Sequence, residues 1–173
     1  MTAFMRNART STRSPNKAWN TFALLLLLLV FSQFINIQTD EIYVANLTPQ
    51  CMRCLCVAAT NCDLTLGCKA GYCGPYKISR VYWIDAGRHV MDEDDPERAG
   101  AFQDCAINYQ CAQRMVKNYM AKYGRDCNDD GVTDCTDFSM INFNGGWQCS
   151  PSLMRDSAGR NWTLRYNRCL PSI

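Results

Sequence analysis

Two sets of residues in this chain could do chemistry by their type and spacing. The first is a carboxylate run, Asp126-x-Asn128-x-Asp130-Gly131-x-x-Asp134-x-x-Asp137. It follows the calcium-loop spacing D-x-[DN]-x-[DN]-G, with an acid at the twelfth position. Oxygen ligands so spaced suit a hard cation, and Gly131 permits the sharp turn. The twelfth residue is Asp rather than the longer Glu, and Cys127 and Cys135 stand within the run. The competing reading is an acidic helix–turn–helix held by caps. The second set is the 12 cysteines, all between Cys51 and Cys169. An even count in so short a stretch implies a disulfide framework and an oxidising compartment. Zinc is the alternative, because Cys51-x-x-Cys54 and Cys54-x-Cys56 could open a zinc site and His89 is the single histidine. A cytosolic zinc protein would not need an export signal.

Such a signal is legible. Arg6, Arg9, Arg13 and Lys17 form a basic start without acids, and Phe22 to Phe31 (FALLLLLLVF) is a short apolar run. Ten residues are too few to span about 30 Å of hydrocarbon as a helix. Residues 1–35 therefore read as a signal peptide whose cleavage point is open, with a signal anchor as the alternative. No stable membrane association is expected after cleavage. Sequons at Asn46 and Asn161 fit a secreted, extracellular surface. From Cys51 onward, 14 Lys and Arg face 14 Asp and Glu, so the domain carries no formal net charge. That argues against nucleic acid as a partner.

The elements that must position these residues read as mainly α with a minor β or irregular part: a small, disulfide-rich single domain over 51–173. Residues 36–50 read as an exposed lead-in. The six cysteines from Cys51 to Cys73 look too dense for long regular elements. Residues 77–84 are rich in β-branched and aromatic types, consistent with a short strand or a buried turn. From Ala99 to Tyr123 the pattern predicts one helix. Tyr109, Ala112, Val116, Tyr119, Met120 and Tyr123 share its core face, and Gly124 stops it. Cys135 to Ile141 reads as a second helix, Asn144-Gly145-Gly146 as a turn, and the remainder to Ile173 as loop.

In order along the chain stand Cys51-x-x-Cys54-Leu55-Cys56, Cys62, Cys73-Gly74-Pro75-Tyr76-x-Ile78 and Tyr82-Trp83-x-Asp85-x-Gly87. Then come Cys111-Ala112, Tyr119-Met120, Asp126-Cys127, Asp134-Cys135-x-Asp137-Phe138 and Gly145-Gly146. This series resembles the invertebrate-type (i-type) lysozymes, the destabilase-like family, over residues 51 to 169. The resemblance implies a lysozyme-like α+β fold. It also implies the pairs Cys51–Cys135, Cys54–Cys169, Cys56–Cys62, Cys68–Cys73, Cys105–Cys111 and Cys127–Cys149. A further family bridge would join positions 86 and 115. Here they are Ala86 and Met115, so both partners are missing together and no thiol is orphaned.

Glycoside hydrolysis uses two carboxyl groups astride the bond. The position matching the family's acid is Ala59, which has no proton to donate. The second carboxylate is expected between Cys68 and Cys73, where only Lys69-Ala70-Gly71-Tyr72 stands. The Ser, Lys and His linked to isopeptidase activity in some members correspond to Tyr72, Ser79 and the neighbourhood of Asn142. Asp63 and Asp85 are the substitute carboxylates to consider, although Asp85 also reads as a structural acceptor. Tyr76, Tyr82 and Trp83 could line a sugar groove or could be core. Three functions follow as expectations. The first is a binder of peptidoglycan- or chitin-type saccharides, of the bacterial defence or digestion type, without efficient hydrolysis. The second is an active muramidase using other carboxylates. The third is an interaction protein with no sugar site. No cofactor is required by any of them, and calcium is the one metal the spacing suggests.

Overall fold

Thr48 starts the first helix. Its hydroxyl accepts from Cys51 N at 3.1 Å, and Pro49 occupies the first turn, where a missing N–H costs nothing. Helix α1 (Pro49–Thr60) ends at Asn61, whose left-handed backbone (φ 57°) returns its N–H to Cys56 O and Val57 O. The cysteine-dense segment is thus helical for twelve residues, contrary to expectation. The reason is geometric. Cys51 and Cys54 lie three apart on one helix face and reach outward to Cys135 and Cys169. Cys56 closes on Cys62 just beyond the helix end. None of these links competes with the helix backbone.

The computed structural model describes residues 42–149 and 152–170, together with Leu27. Residues 42–173 form one compact unit. The expected signal peptide, and the lead-in up to residue 41, lie outside the described residues apart from Leu27. From residue 42 the lead-in is not wholly exposed. Val44 and Leu47 pack partly against the core, and residues 49 and 50 already belong to α1. Among the described residues no helix is long and apolar enough to cross a membrane.

Three two-residue strands follow α1: β1 (Cys68–Lys69), β2 (Tyr72–Cys73) and β3 (Ile78–Ser79), in an antiparallel sheet of order β1-β2-β3. Cys68 pairs with Cys73 and Lys69 with Tyr72, so Ala70 and Gly71 alone make the turn. Both have positive φ, 52° and 83°, as a tight two-residue hairpin requires. The strand-like run 77–84 is mostly a helix instead. Ser79 Oγ accepts from Tyr82 N at 3.1 Å and starts α2 (Arg80–Asp85), leaving only Ile78–Ser79 extended.

The helix read over 99–123 is two helices, α3 (Ala101–Ile107) and α4 (Tyr109–Tyr123). Asn108 is extended (ψ 120°) and caps α4 by accepting from Cys111 N at 3.0 Å. The Cys105–Cys111 bridge spans the break. The expected stripe of α4 is core, with Ala112, Val116, Tyr119, Met120 and Tyr123 all buried. Helix α5 (Cys135–Asn144) begins at a reciprocal cap between Asp134 and Asp137 and runs three residues further than read. The C-terminal part is not loop. A short 3₁₀ turn (Leu153–Arg155) leads into α6 (Ser157–Cys169), capped by Asp156 and burying Gly159, Trp162 and Tyr166. Helix α6 packs along α1.

All twelve cysteines are paired, in the six pairs that the resemblance implies, and none is free. A zinc site built from Cys51, Cys54 and Cys56 is therefore excluded in the oxidised protein. The loops closed differ widely in length. Cys54–Cys169 spans 115 residues and Cys68–Cys73 spans 5. In the chain-entropy account the first contributes roughly 5 kcal/mol and the second roughly 2 kcal/mol. Replacing Cys54 and Cys169 together by Ala should lower the unfolding free energy in urea by the larger amount. Replacing Cys68 and Cys73 should cost less than half as much.

Candidate functional site

Ala59 lies in the last turn of α1, where side chains facing the core are fixed by the two long bridges. It is 2% exposed. Arg165 of α6 reaches across to this turn. Its Nε donates to Ala58 O at 2.7 Å and its Nη2 to Ala59 O at 3.4 Å. The carbonyl end of the helix thus receives a cation, which also suits its dipole. The position that the resemblance matches to an acid is a sealed helix–helix contact with a guanidinium over its backbone.

The second carboxylate position fares no better. The Cys68–Cys73 segment, where the resemblance expects the second carboxylate, is a hairpin whose two-residue turn, Ala70-Gly71, carries no acid. Asp63 sits nearby in sequence but is occupied. Its Oδ1 accepts from the Thr65 hydroxyl at 2.7 Å and from Thr65 N at 2.9 Å. The hydroxyl first, and then the N–H, hold this exposed carboxyl below the usual carboxylate range. A glycosidic acid needs the opposite shift. Asp85, at the end of α2, faces Lys122 of α4, with Nζ 3.8 Å from its Oδ1 and 3.2 Å from its backbone oxygen. Each substitute is therefore engaged within its own corner of the fold.

Of the three groove aromatics, Tyr76 and Trp83 are 2% and 1% exposed and present no face to a ligand. Both rings are therefore core, the other of the two readings given for them. Tyr76 stacks on Tyr109 at 6.0 Å between ring centres, and its hydroxyl donates to Met52 O at 3.2 Å. Trp83 packs on Phe102 and gives its indole N–H to His89 O at 2.6 Å. Tyr82 is 9% exposed, stacks on Tyr119 and hydrogen-bonds Asn142 Oδ1 at 3.0 Å. Burial pushes the phenols of Tyr76 and Tyr82 well up, so neither titrates near neutrality. Of the isopeptidase positions, Tyr72 is exposed on β2, Ser79 caps α2, and Asn142 holds Tyr82.

The acidic loop closes on itself. Asp126 accepts from Asp130 N and Gly131 N, Asn128 from Asp130 N, and Asp130 from Val132 N. Asp134 Oδ1 accepts from Thr136 N at 2.7 Å. Asp137 is fully buried, with one oxygen on Cys127 N and the other on Asp134 N, both at 2.7 Å. All five calcium-ligand positions thus accept from backbone N–H groups, as in the capped helix–turn–helix alternative. Among the described residues no three His, Cys, Asp or Glu side chains are grouped to hold a metal. Both sequons are at exposed positions. Asn46 also gives its amide to Thr133 O at 2.9 Å, and Asn161 lies on α6.

Sequence reasoning passed over Trp147. It follows the Gly145-Gly146 turn and is 76% exposed, whereas Trp83 and Trp162 are buried. Its ring sits edge-on to Tyr123 at 5.4 Å, ending a ladder Tyr82–Tyr119–Tyr123–Trp147 that leads out of the core. An apolar residue straight after a turn glycine was the only signal in the sequence.

Six bridges, a helical body and one small sheet define a lysozyme-like domain. The chain belongs to the destabilase family, whose model (Destabilase) matches residues 48–169. Lysozyme 1 of Crassostrea virginica is 36% identical over 103 residues, 56% of this chain and 48% of that protein, so the match spans about half of that relative. Lysozyme of Ostrea edulis is 31% identical over 129 residues, 72% of this chain and 80% of that protein. In fold the chain is similar to a chain in the crystal structure of Aeromonas hydrophila PliI in complex with Meretrix lusoria lysozyme. There the TM-score is 0.52 at 23% identity, covering 73% of this chain and 93% of that one. It is also similar to inhibitor-bound lysozyme from Meretrix lusoria, with a TM-score of 0.50 at 25% identity, covering 70% and 88%.

Three outcomes follow. Ala59→Glu places a carboxyl in a packed contact beside Arg165, which favours its ionised form. It should destabilise the domain by about 1–3 kcal/mol in a urea melt and confer no release of reducing sugar from peptidoglycan. Asp137→Ala strands two backbone N–H groups and should cost about 2–5 kcal/mol. Millimolar calcium should leave the melting temperature of the unmodified protein unchanged.

Proposed function

We propose that this domain works outside the cell as a non-hydrolytic member of its family, binding peptidoglycan- or chitin-type saccharides in bacterial defence or digestion. The observation that carries the non-hydrolytic part is the state of the two acid positions. One is a buried alanine under Arg165, and the other has been lost to a two-residue turn. Without a proton donor the leaving oxygen departs as an alkoxide, and general-acid help worth about 10²–10⁴-fold is gone. Support for a saccharide ligand comes from the relatives, which are named lysozymes. The six bridges and the export signal read at 1–35 support an extracellular setting. An active muramidase would need Asp63 or Asp85 released from its present partner.

A second reading has its own support. Burial of Tyr76 and Trp83 removes the expected sugar-facing rings and favours an interaction protein without a sugar site. Co-sedimentation with insoluble peptidoglycan and chitin separates these readings when suspension turbidity is followed in the same tubes. The saccharide-binding reading expects protein in the pellet and unchanged turbidity. Clearing of the peptidoglycan suspension would establish the active enzyme, and protein left in the supernatant would favour the interaction protein.

A further inference from the structure

Folding leaves a large indole outside at Trp147 while holding the backbone beneath it firmly. Gly146 N donates to the buried Tyr119 hydroxyl at 2.6 Å, and Gly146 O accepts from Arg125 Nη2 at 2.9 Å. The Cys127–Cys149 bridge closes the segment two residues on, and Asn144 Nδ2 donates to Cys149 O at 3.2 Å. Gly146 lies so close to Tyr123 that a Cβ would fall 2.2 Å from its ring. Only glycine fits, and the turn is pressed flat on the aromatic ladder. Tyr123 also carries Lys122 Nζ 4.9 Å from its ring centre, and Lys122 pairs with Asp85. The Tyr123 hydroxyl is buried and makes no hydrogen bond.

We infer that Trp147 is a preformed stacking platform for a pyranose ring, lying on the Gly145-Gly146 turn rather than at the Ala59 position. This rests on the saccharide-binding reading and names its site. A pyranose has an apolar C–H face and a rim of hydroxyls. The exposed indole answers the first, and the Lys122 ammonium over the neighbouring Tyr123 ring and the Arg125 guanidinium on Gly146 O offer partners to the second. Lys122 and Asp85 are of the types depleted in the cores of protein interfaces, which favours the saccharide over a protein partner. Because the turn is already ordered, little conformational entropy is lost on binding, and preorganisation of this kind raises affinity.

The test uses the full secreted protein with two probes, insoluble peptidoglycan in a pull-down and chitohexaose in a titration of intrinsic fluorescence. Trp147→Ala should weaken binding at least about tenfold, as loss of an aromatic anchor does, while the melting temperature stays within a degree or so of the parent. Trp147→Phe should recover most of the affinity, and Tyr72→Ala, which removes another exposed ring, should bind like the parent. Binding by Trp147→Ala within twofold of the parent would overturn the platform and leave the saccharide-binding reading intact. A parent protein that binds neither probe would overturn that reading, and the platform with it.

Discussion

Helix α1 carries three half-cystines within six residues, and their covalent reach fixes where the rest of the domain lies. Cys51 ties it to the start of α5, and Cys54 ties it to the end of α6. Met52, Leu55 and Ala58 fill the remaining faces of the same helix and are buried. Conformational entropy is the main cost of folding. These two links remove much of it in the unfolded chain, which explains how short elements and two-residue strands persist. Asp137 is the polar counterpart of this arrangement. Buried among apolar neighbours, it satisfies Cys127 N and Asp134 N and so sets the entry angle of α5.

The same constraint shapes the site. Position 59 is in the final turn of α1, locked between two bridged partners. Alanine there lets α6 close down and lets Arg165 cap the helix end. On the hairpin side the Cys68–Cys73 link encloses only residues 69–72, none of them acidic. A fold can outlast its chemistry in this way, because bridges and core do not depend on the reacting groups. Trp147 faces outward at the far end of an aromatic ladder that begins in the core.

Much of this was legible from residues alone, for identifiable reasons. The core stripe of α4 repeats apolar residues at spacings of three and four, so Val116, Tyr119 and Met120 declared themselves. The break at Asn108 did not, because an N-cap inside a long periodic pattern looks like any polar residue on the outer face. Helix α1 was hidden because its cysteines read as crosslinks rather than as helix positions. Helix α6 was hidden because it buries only Gly159, Trp162 and Tyr166 among polar neighbours. That alanine stands at the position matched to an acid could be read from the ordered motifs. That Ala59 is sealed from solvent could not, since it depends on where Arg165 comes to rest. For the tryptophans, type and local pattern do not separate the buried Trp83 from the exposed Trp147.

The central claim is that the lysozyme fold is kept here without its hydrolytic chemistry. Steady-state assays can miss a slow enzyme, so the most direct measurement is stoichiometric. Chitohexaose, and soluble peptidoglycan fragments, would be held with an equal concentration of the protein for days at several pH values and then read by mass spectrometry. Intact oligosaccharide at every pH is the predicted result. Shorter products at a rate above a heat-inactivated control would contradict the account and place the chemistry on carboxylates such as Asp63 and Asp85.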